Sequence, residues 1–154
     1  KEPVKRVEEN LKSYNENLNI ITLDTSARTA LEAASSLGCN VGAIVKSLLF
    51  RAEDKYILCL VSGDKKVSLN KVKKLLNKKD VSMASADEVK KITGFTIGGV
   101  SPVGHLNDIN IYIDNNLSRF EFLYAAAGHP NCVFKIDNLN LIKISKGIIE
   151  DITE

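Results

Sequence analysis

The chain has 154 residues, 44% of them hydrophobic, and a formal net charge of +2 at neutral pH. This length predicts a single domain over residues 1–154, and the apolar content is that of a folded core rather than a disordered chain. Apolar runs are far shorter than the roughly 18 residues that a membrane-spanning helix requires, so we expect no membrane partner. Three widely spaced cysteines without a CxxC pair indicate reduced thiols and a cytoplasmic protein.

The beginning of the chain predicts a helix, a short strand and a second helix. Apolar residues recur at helical spacing over residues 3–16, and residues 19–24 form an isoleucine-rich strand candidate. Thr29-Ala-Leu-Glu32 has the pattern of a capping box, in which the hydroxyl and the carboxylate satisfy free backbone amides. The second helix is therefore expected to begin after Thr29 and to end at Gly38.

The middle of the chain predicts a β-hairpin followed by two helices. Two apolar runs, residues 44–52 and 55–62, are separated by a polar turn, which is a hairpin signal. Residues 68–77 predict a lysine-rich helix with one apolar side. A second capping box at Ser85 opens a short helix that we expect to close at Gly94.

The last third of the chain predicts mostly strands. Residues 108–114 alternate isoleucine with polar residues, as in a half-buried strand. Further strands are predicted over residues 122–127, 132–136 and 148–152, with a short helical turn over 139–144. Strands thus cluster without strict βαβ alternation, which predicts an α+β fold: a compact mixed α/β domain with a curved or barrel-like, mostly antiparallel or mixed sheet and surrounding helices.

Lys46 is a single cation within the apolar predicted strand 44–52. One interpretation is an edge lysine that reaches water and prevents aggregation of the strand. The other is a lysine that points into a pocket and holds an anion. The residues alone do not decide between these two interpretations.

Two glycine-containing segments each carry one of the two histidines. In residues 98–105 and 128–130, glycines permit close approach of the backbone, and free amides there can hold an anionic or carbonyl oxygen. Ordinary turn loops are the alternative. His129 is a candidate general base, hydrogen-bond donor or loop histidine. Two histidines are too few for a histidine-rich metal site, and no HExxH, Walker A or GxSxG pattern occurs, so no metal or cofactor is expected.

Seven lysines and no acidic residue lie between Lys65 and Lys79. A solvated helix face is the simpler interpretation of this run. A surface that contacts nucleic-acid phosphates is the alternative, and in that case Lys73, Lys74 and Lys78 are the candidate contact residues.

Four segments together resemble the YbaK/EbsC family, also called the prolyl-tRNA synthetase-associated editing domain family. They are residues 25–29 (TSART), 42–48 (GAIVKSL), 93–105 (TGFTIGGVSPVGH) and 125–131 (AAAGHPN). The resemblance covers nearly the whole chain in order. It implies a compact mixed α/β fold and a freestanding enzyme that hydrolyses the ester between a wrong, small amino acid and tRNA, with tRNA for proline or a related tRNA expected.

The resemblance also implies roles for individual residues. Lys46 would hold the 3′ end of the tRNA, while the loops that contain Gly98, Gly99, Gly128 and His129 would orient the ester carbonyl and stabilise the oxyanion. The implied substrate-binding residues lie in the same segments: Ser26, Arg28, Ser47, Val100, Ser101, Pro102, Gly104, His105 and Pro130. The implied partners are aminoacyl-tRNA and, transiently, an aminoacyl-tRNA synthetase. With tRNA as the partner, Lys73, Lys74 and Lys78 become the candidate tRNA-binding residues. A catalytically silent module that binds tRNA or an aminoacyl-like ligand is the alternative.

Overall fold

The computed structural model describes residues 2–24 and 28–154. Five α-helices lie in this part of the chain: α1 (Glu2–Tyr14), α2 (Ala30–Leu37), α3 (Leu69–Leu76), α4 (Ala86–Thr93) and α5 (Asn138–Ser145). Its β-strands are β1 (Ile20–Thr22), β2 (Ile44–Ala52), β3 (Lys55–Ser62), β4 (Val81–Met83), β5 (Asn110–Asp114), β6 (Phe122–His129), β7 (Cys132–Asp137) and β8 (Ile148–Glu150). No helix among these described residues is both long and apolar enough to cross a bilayer.

Both predicted capping boxes form. The Thr29 hydroxyl accepts a hydrogen bond from the Glu32 N–H at 3.1 Å, and the Glu32 carboxylate accepts one from the Thr29 N–H. Ser85 and its partner three residues later repeat this arrangement at the start of α4. The predicted ends are confirmed as well, because Gly38 and Gly94 both adopt the left-handed conformation that closes a helix (φ 68° and 83°).

The strands form one eight-stranded mixed sheet, which confirms the predicted fold class. Its order is β1-β7-β6-β2-β3-β5-β8, and β4 pairs with β2 off this path. The β2–β3 hairpin is antiparallel over its whole length, as predicted, whereas β2–β6, β3–β5 and β5–β8 are parallel.

The opposite edge of β2 has two different partners. β6 pairs with it in parallel at Ile44 and Val45, and β4 pairs with it antiparallel over residues 50–52. No strand among the described residues pairs with this edge between those two stretches. β4 itself was not predicted, because three residues are too few to show a strand period.

The strand β6 is longer than predicted. It continues through Gly128 to His129, which pairs with Cys132 after an irregularity that begins at Ala126. Gly128 has a φ of 94°, a value that a residue with a side chain rarely adopts. His129 therefore lies at the end of a paired strand rather than in a free loop. At the other predicted boundaries, β5 begins at Asn110, β8 ends at Glu150 and α5 extends to Ser145.

Successive side chains of β2 point to opposite faces of the sheet and enter different hydrophobic clusters. Val45 and Leu49 belong to the largest cluster, together with the fully buried Phe95. Ile44 instead packs with Ala33 of α2 in a smaller cluster. β2 thus separates the largest cluster from the smaller one that contains α2, with one cluster on each of its faces.

Candidate functional site

A cavity of about 320 Å³ lies along the unpaired stretch of β2. Its walls come from the start of α2, residues 44–49 of β2, the end of β4, helix α4, and strands β6 and β7. Ile97, Gly98 and Val100 also line it. Alanines at positions 33, 84, 125 and 126 line much of it. The space is therefore apolar and suited to a small group.

Lys46 lines this cavity and is half-buried. Its ammonium donates a hydrogen bond to the carbonyl oxygen of Lys65 at 2.6 Å. Burial lowers the pKa of Lys46 below its ordinary value, and the nearby Asp64 carboxylate partly opposes this shift. Because β2 is an interior strand of the sheet, the placement of Lys46 fits the pocket interpretation better than the edge-lysine interpretation.

The Asp64 carboxylate is engaged by another cation. Arg119 donates to its two oxygens at 2.7 and 3.1 Å, and this hydrogen bonding holds the pKa of Asp64 below its usual value. Asp64 thus forms its contacts with Arg119, while the only hydrogen bond found for the Lys46 ammonium among the described residues is to a backbone carbonyl. That leaves two of its three donors for an anionic or polar ligand.

Arg28 adds a second cation to the wall of the cavity, just before α2. No carboxylate lies among the described lining residues, so the site has a positive electrostatic character. Such a site favours a phosphate or another anion over a cation. Ser26, which the sequence placed in the same segment, lies outside the described residues.

Several other predicted substrate-binding residues reach the same cavity. Gly98, Val100, Pro130 and Ser47 all line it. Gly98 has a φ of 93°, and a Cβ there would lie 3.6 Å from the Pro130 ring. The Ser47 hydroxyl is buried, and no described residue forms a hydrogen bond with it.

Gly99, Gly128 and His129 pack against backbone and are not among the residues that line the cavity. A Cβ on Gly99 would come within 2.9 Å of the His129 nitrogen. The Gly99 N–H donates to the Thr96 carbonyl at 2.9 Å, and the His129 Nδ1 accepts from the Asn131 N–H at 3.2 Å. In this arrangement they join the glycine segment to the end of β6, and their catalytic roles stay predictions.

The remaining predicted substrate-binding residues lie elsewhere. Pro102, Gly104 and His105 line a second cavity of about 580 Å³, beside α1 and the strands β5 and β8. His105 bonds through Nε2 to the Ser101 carbonyl at 2.7 Å, and burial lowers the pKa of its imidazole. Ser101 is fully buried, and its hydroxyl accepts from the Val103 N–H. The structure thus does not bring these residues together with Lys46.

The predicted tRNA-binding lysines lie on and after α3. Lys73 and Lys74 occupy its last turn, and Val72 on the opposite side is fully buried. Lys78 lies beyond the helix and forms an ion pair with Glu53 at 3.6 Å. The helix therefore has the expected apolar and charged sides, and its contact with tRNA stays a prediction.

For some residues that line the cavity, the sequence contained little or no signal of that position. Ala125 and Ala126 belong to a run of small residues that indicated a tight space, whereas Met83 and Ala84 had no such signal. Tyr124 reaches the cavity only because β6 pairs with β2 far along the chain. Within the described residues, no cluster of three or more His, Cys, Asp or Glu side chains is arranged to hold a metal ion.

Comparison with known proteins places the sequence and fold of this chain in a family. The aminoacyl-tRNA editing domain family matches residues 24–144. The chain is 33% identical over 143 residues to YwhH of Bacillus subtilis, an uncharacterized protein, covering 92% of this chain and 90% of YwhH. It is 35% identical over 121 residues to a proline–tRNA ligase of Caldicellulosiruptor bescii, covering 79% of this chain but only 21% of the ligase.

Solved structures agree with the sequence comparisons. A protein named provisionally as a trans-editing enzyme for prolyl-tRNA synthetase superposes with a TM-score of 0.94 at 35% identity, over 100% of this chain and 98% of that one. The hypothetical protein APE2540 gives a TM-score of 0.90 at 29% identity, over 97% and 99% of the two chains. Since the family match spans most of the sequence and the fold agrees throughout, the chain belongs to the aminoacyl-tRNA editing domain family.

Proposed function

We propose that this protein is an aminoacyl-tRNA deacylase that acts in trans on tRNA carrying a wrong, small amino acid. The observation that carries this proposal is the half-buried Lys46 beside an apolar cavity lined by alanines. The cation suits the phosphate or ribose at the tRNA 3′ end, and the apolar space suits a small aminoacyl group. Membership of the editing family and the likeness to a solved protein named for trans-editing support the same activity.

Hydrolysis needs little from ionisable side chains, because an aminoacyl ester is already activated. Water adds to the carbonyl carbon and forms a tetrahedral intermediate with a negatively charged oxygen. The intermediate collapses as the bond to the ribose oxygen breaks, and that oxygen takes the proton that water has lost. Positioning of the ester and stabilisation of the oxyanion by backbone amides then supply the rate enhancement.

The size of the cavity supports small amino acids such as alanine, serine, threonine or 2-aminobutyrate. Alanines at positions 33, 84, 125 and 126 leave the space, while Val45 and Val100 limit it. A pocket of this kind discriminates only modestly between side chains that differ by one methylene. We infer a group of small substrates rather than one.

The same proposal includes the tRNA that is edited, the protein partner and the location in the cell. The substrate would be tRNA for proline or a related tRNA, which agrees with the similarity to part of a proline–tRNA ligase. Transient association with a synthetase and a cytoplasmic location follow from this activity. The catalytically silent binding module is the alternative that the next experiment separates.

The proposal is tested with tRNA for proline charged with alanine, serine, threonine or 2-aminobutyrate, by following loss of the ester. We expect hydrolysis of at least one of these substrates. Lys46→Ala should lower kcat/KM by about 10- to 100-fold, as expected for loss of a charged hydrogen bond to the substrate. Lys55→Ala is the matched control, because Lys55 is an exposed lysine at the far end of the same hairpin.

Different results of this assay would contradict different parts of the proposed function. Binding of the charged tRNA without hydrolysis of any ester would favour the silent binding module. Equal rates for the wild type and Lys46→Ala would remove the proposed role of Lys46. Free aminoacyl esters, assayed in parallel, report whether the tRNA is needed.

A further inference from the structure

One edge of β2 has a stretch beside the cavity that no strand among the described residues pairs with. Along one edge, β3 pairs with every residue of β2 from Val45 to Ala52. On the other edge, β6 stops at Val45 and β4 begins at Phe50. Ser47 lies in the middle of this gap and lines the cavity.

Two hydrogen bonds fix the direction in which the backbone groups of β2 point. The Ile44 carbonyl accepts from Gly63, at the end of β3, whereas the Leu49 carbonyl accepts from Ala84, which follows β4. Backbone groups of successive residues in an antiparallel pair alternate between the two edges. The N–H and C=O of Ser47, two residues from Leu49, therefore point into the gap and not toward β3.

The side chain of Ser47 is a further polar group at this point of the cavity wall. Its hydroxyl is buried and has no hydrogen-bond partner among residues 2–24 and 28–154. Buried polar groups in folded proteins are nearly always paired, because an unpaired one is destabilising. Polar groups of one residue that lack partners at the wall of a cavity indicate a ligand that forms hydrogen bonds with them.

The glycine segment is a weaker source of an oxyanion donor. The Gly99 N–H is already bonded to the Thr96 carbonyl at 2.9 Å, and Gly99 packs against the backbone of His129. By contrast, neither β4 nor β6 pairs with Ser47. The side chain of the adjacent Lys46 points to the opposite face of β2, so the two residues can hold different parts of one ligand.

We propose that the backbone N–H of Ser47 is the oxyanion donor of the deacylation reaction. It donates to the ester carbonyl oxygen, and this hydrogen bond strengthens as negative charge develops on that oxygen. Lys46 holds the 3′ end of the tRNA on the other face of the strand. This inference rests on the proposed deacylase function and assigns one step of it to a named atom.

The test compares two chains that have the same side chain at position 47 and differ only in its N–H. Ser47→Ala keeps the amide, whereas in vitro translation with lactic acid at position 47 gives the same methyl side chain with an ester oxygen in place of the N–H. Since removal of one oxyanion donor typically costs about 10²–10³ in kcat, the lactic acid chain should be slower than Ser47→Ala by that factor. KM should change little, because the bond acts mainly in the transition state. Thermal unfolding of both proteins reports whether the fold is kept.

A second measurement uses the wild-type protein and does not depend on a variant that folds. A phosphonate analogue of alanyl-adenosine mimics the tetrahedral intermediate. When it binds ¹⁵N-labelled protein, the amide proton of Ser47 should show the largest downfield shift. An unmoved Ser47 amide, with shifts at Gly98 or Val100 instead, would assign the oxyanion to the glycine segment and overturn the inference.

The deacylase function and the role of Ser47 are contradicted by different results. A wild type that hydrolyses no aminoacyl ester removes the deacylase function, and the role of Ser47 with it. An active wild type whose lactic acid chain and Ser47→Ala variant have equal rates retains the function and overturns the role of Ser47 alone.

Discussion

Lys46 keeps a charged group in surroundings that oppose the charge. Its ammonium has given up part of its hydration for one backbone carbonyl, and the neighbouring Asp64 carboxylate is taken up by Arg119. Burial therefore lowers the pKa of Lys46. An anion bound beside Lys46 would stabilise its charged form, which is the role proposed for the phosphate at the tRNA 3′ end.

The lowered pKa of Lys46 predicts a pH dependence of stability. The unfolded chain binds the proton up to the ordinary pKa of 10.5, while the folded chain releases it at a lower pH. Between those two values the unfolded state holds more protons, so the free energy of unfolding should gain a favourable contribution as pH rises. Lys46→Met lacks this contribution. In urea unfolding at a series of pH values from about 7 to about 10.5, the wild type should gain stability relative to Lys46→Met.

The difference between the two proteins isolates Lys46, because other lysines and tyrosines titrate in both. A difference that stays constant with pH, or that changes in the opposite direction, would show that burial does not disfavour the ammonium.

At the scale of elements, the end of β6 is held by close contacts between backbones. Gly128 lies against Pro3 and Val4 of α1, and Gly99 lies against His129. These glycines permit three segments to meet without side chains between them. The arrangement fixes the position of Pro130 and Gly98, both of which line the cavity.

This packing role predicts a loss of stability on adding a single methyl group. In Gly128→Ala, the new Cβ would lie 2.9 Å from the backbone of Pro3, in addition to the strain of a positive φ. Gly38→Ala is the matched control, because Gly38 also has a positive φ but no atom of the described residues lies within 4 Å of its Cβ position. Denaturant unfolding should show a loss of about 1–2 kcal/mol for the control and a clearly larger loss for Gly128→Ala.

Equal losses of stability in the two variants would mean that α1 moves aside at little cost. In that case close packing against α1 would not be the reason for a glycine at position 128.

The elements that the sequence predicted well are those determined by local chemistry. The capping boxes at Thr29 and Ser85, the glycine ends at Gly38 and Gly94, and the β2–β3 hairpin depend on residues close together in the chain. β4 was missed because its pairing with β2, and not its own three residues, makes it a strand. The irregular end of β6 likewise depends on its contact with α1.

The candidate site could be predicted only in part for the same reason. Lys46 stood out as a cation in an apolar strand, and the Ala125–Ala127 run indicated a restricted space. The resemblance to a family grouped both glycine-histidine segments into one site, whereas the structure places His105 in a second cavity. The gap beside Ser47 had no signal in the sequence, because it exists only where two other strands fail to cover β2.

On the scale of the whole molecule, the near-neutral net charge conceals an uneven distribution. The run from Lys65 to Lys79 carries seven lysines without an acid. Its first member is joined to the cavity, since the Lys65 carbonyl accepts from the Lys46 ammonium. From there α3 leads away to Lys78 beside Glu53, in the turn of the hairpin. The run thus begins at the cavity and extends across the surface.

If this surface contacts tRNA phosphates, its lysines should set the salt dependence of binding. Changing Lys73, Lys74 and Lys78 to Gln should weaken tRNA binding and reduce the slope of log K against log salt by about one for each phosphate that is no longer neutralised. Activity on a free aminoacyl ester should be unchanged. Binding is measured by fluorescence anisotropy over a range of salt concentrations.

The matched control changes Lys5, Lys143 and Lys146 to Gln, because these exposed lysines lie on or beside α1 and α5. The same slope in both triple variants would show that the run on α3 is only a solvated face.

The pairing of β2 with β6 also determines when the cavity can exist during synthesis of the chain. Ile44 and Val45 pair with Tyr124 and Ala125, far downstream, whereas the β2–β3 hairpin joins neighbouring segments. Because non-local pairings form late and chains fold as they are made, the hairpin emerges from the ribosome with one edge of β2 uncovered. An uncovered strand edge can pair with other chains. Pairing of β6 with that edge therefore closes one side of the cavity and covers an exposed strand edge in the same late folding step.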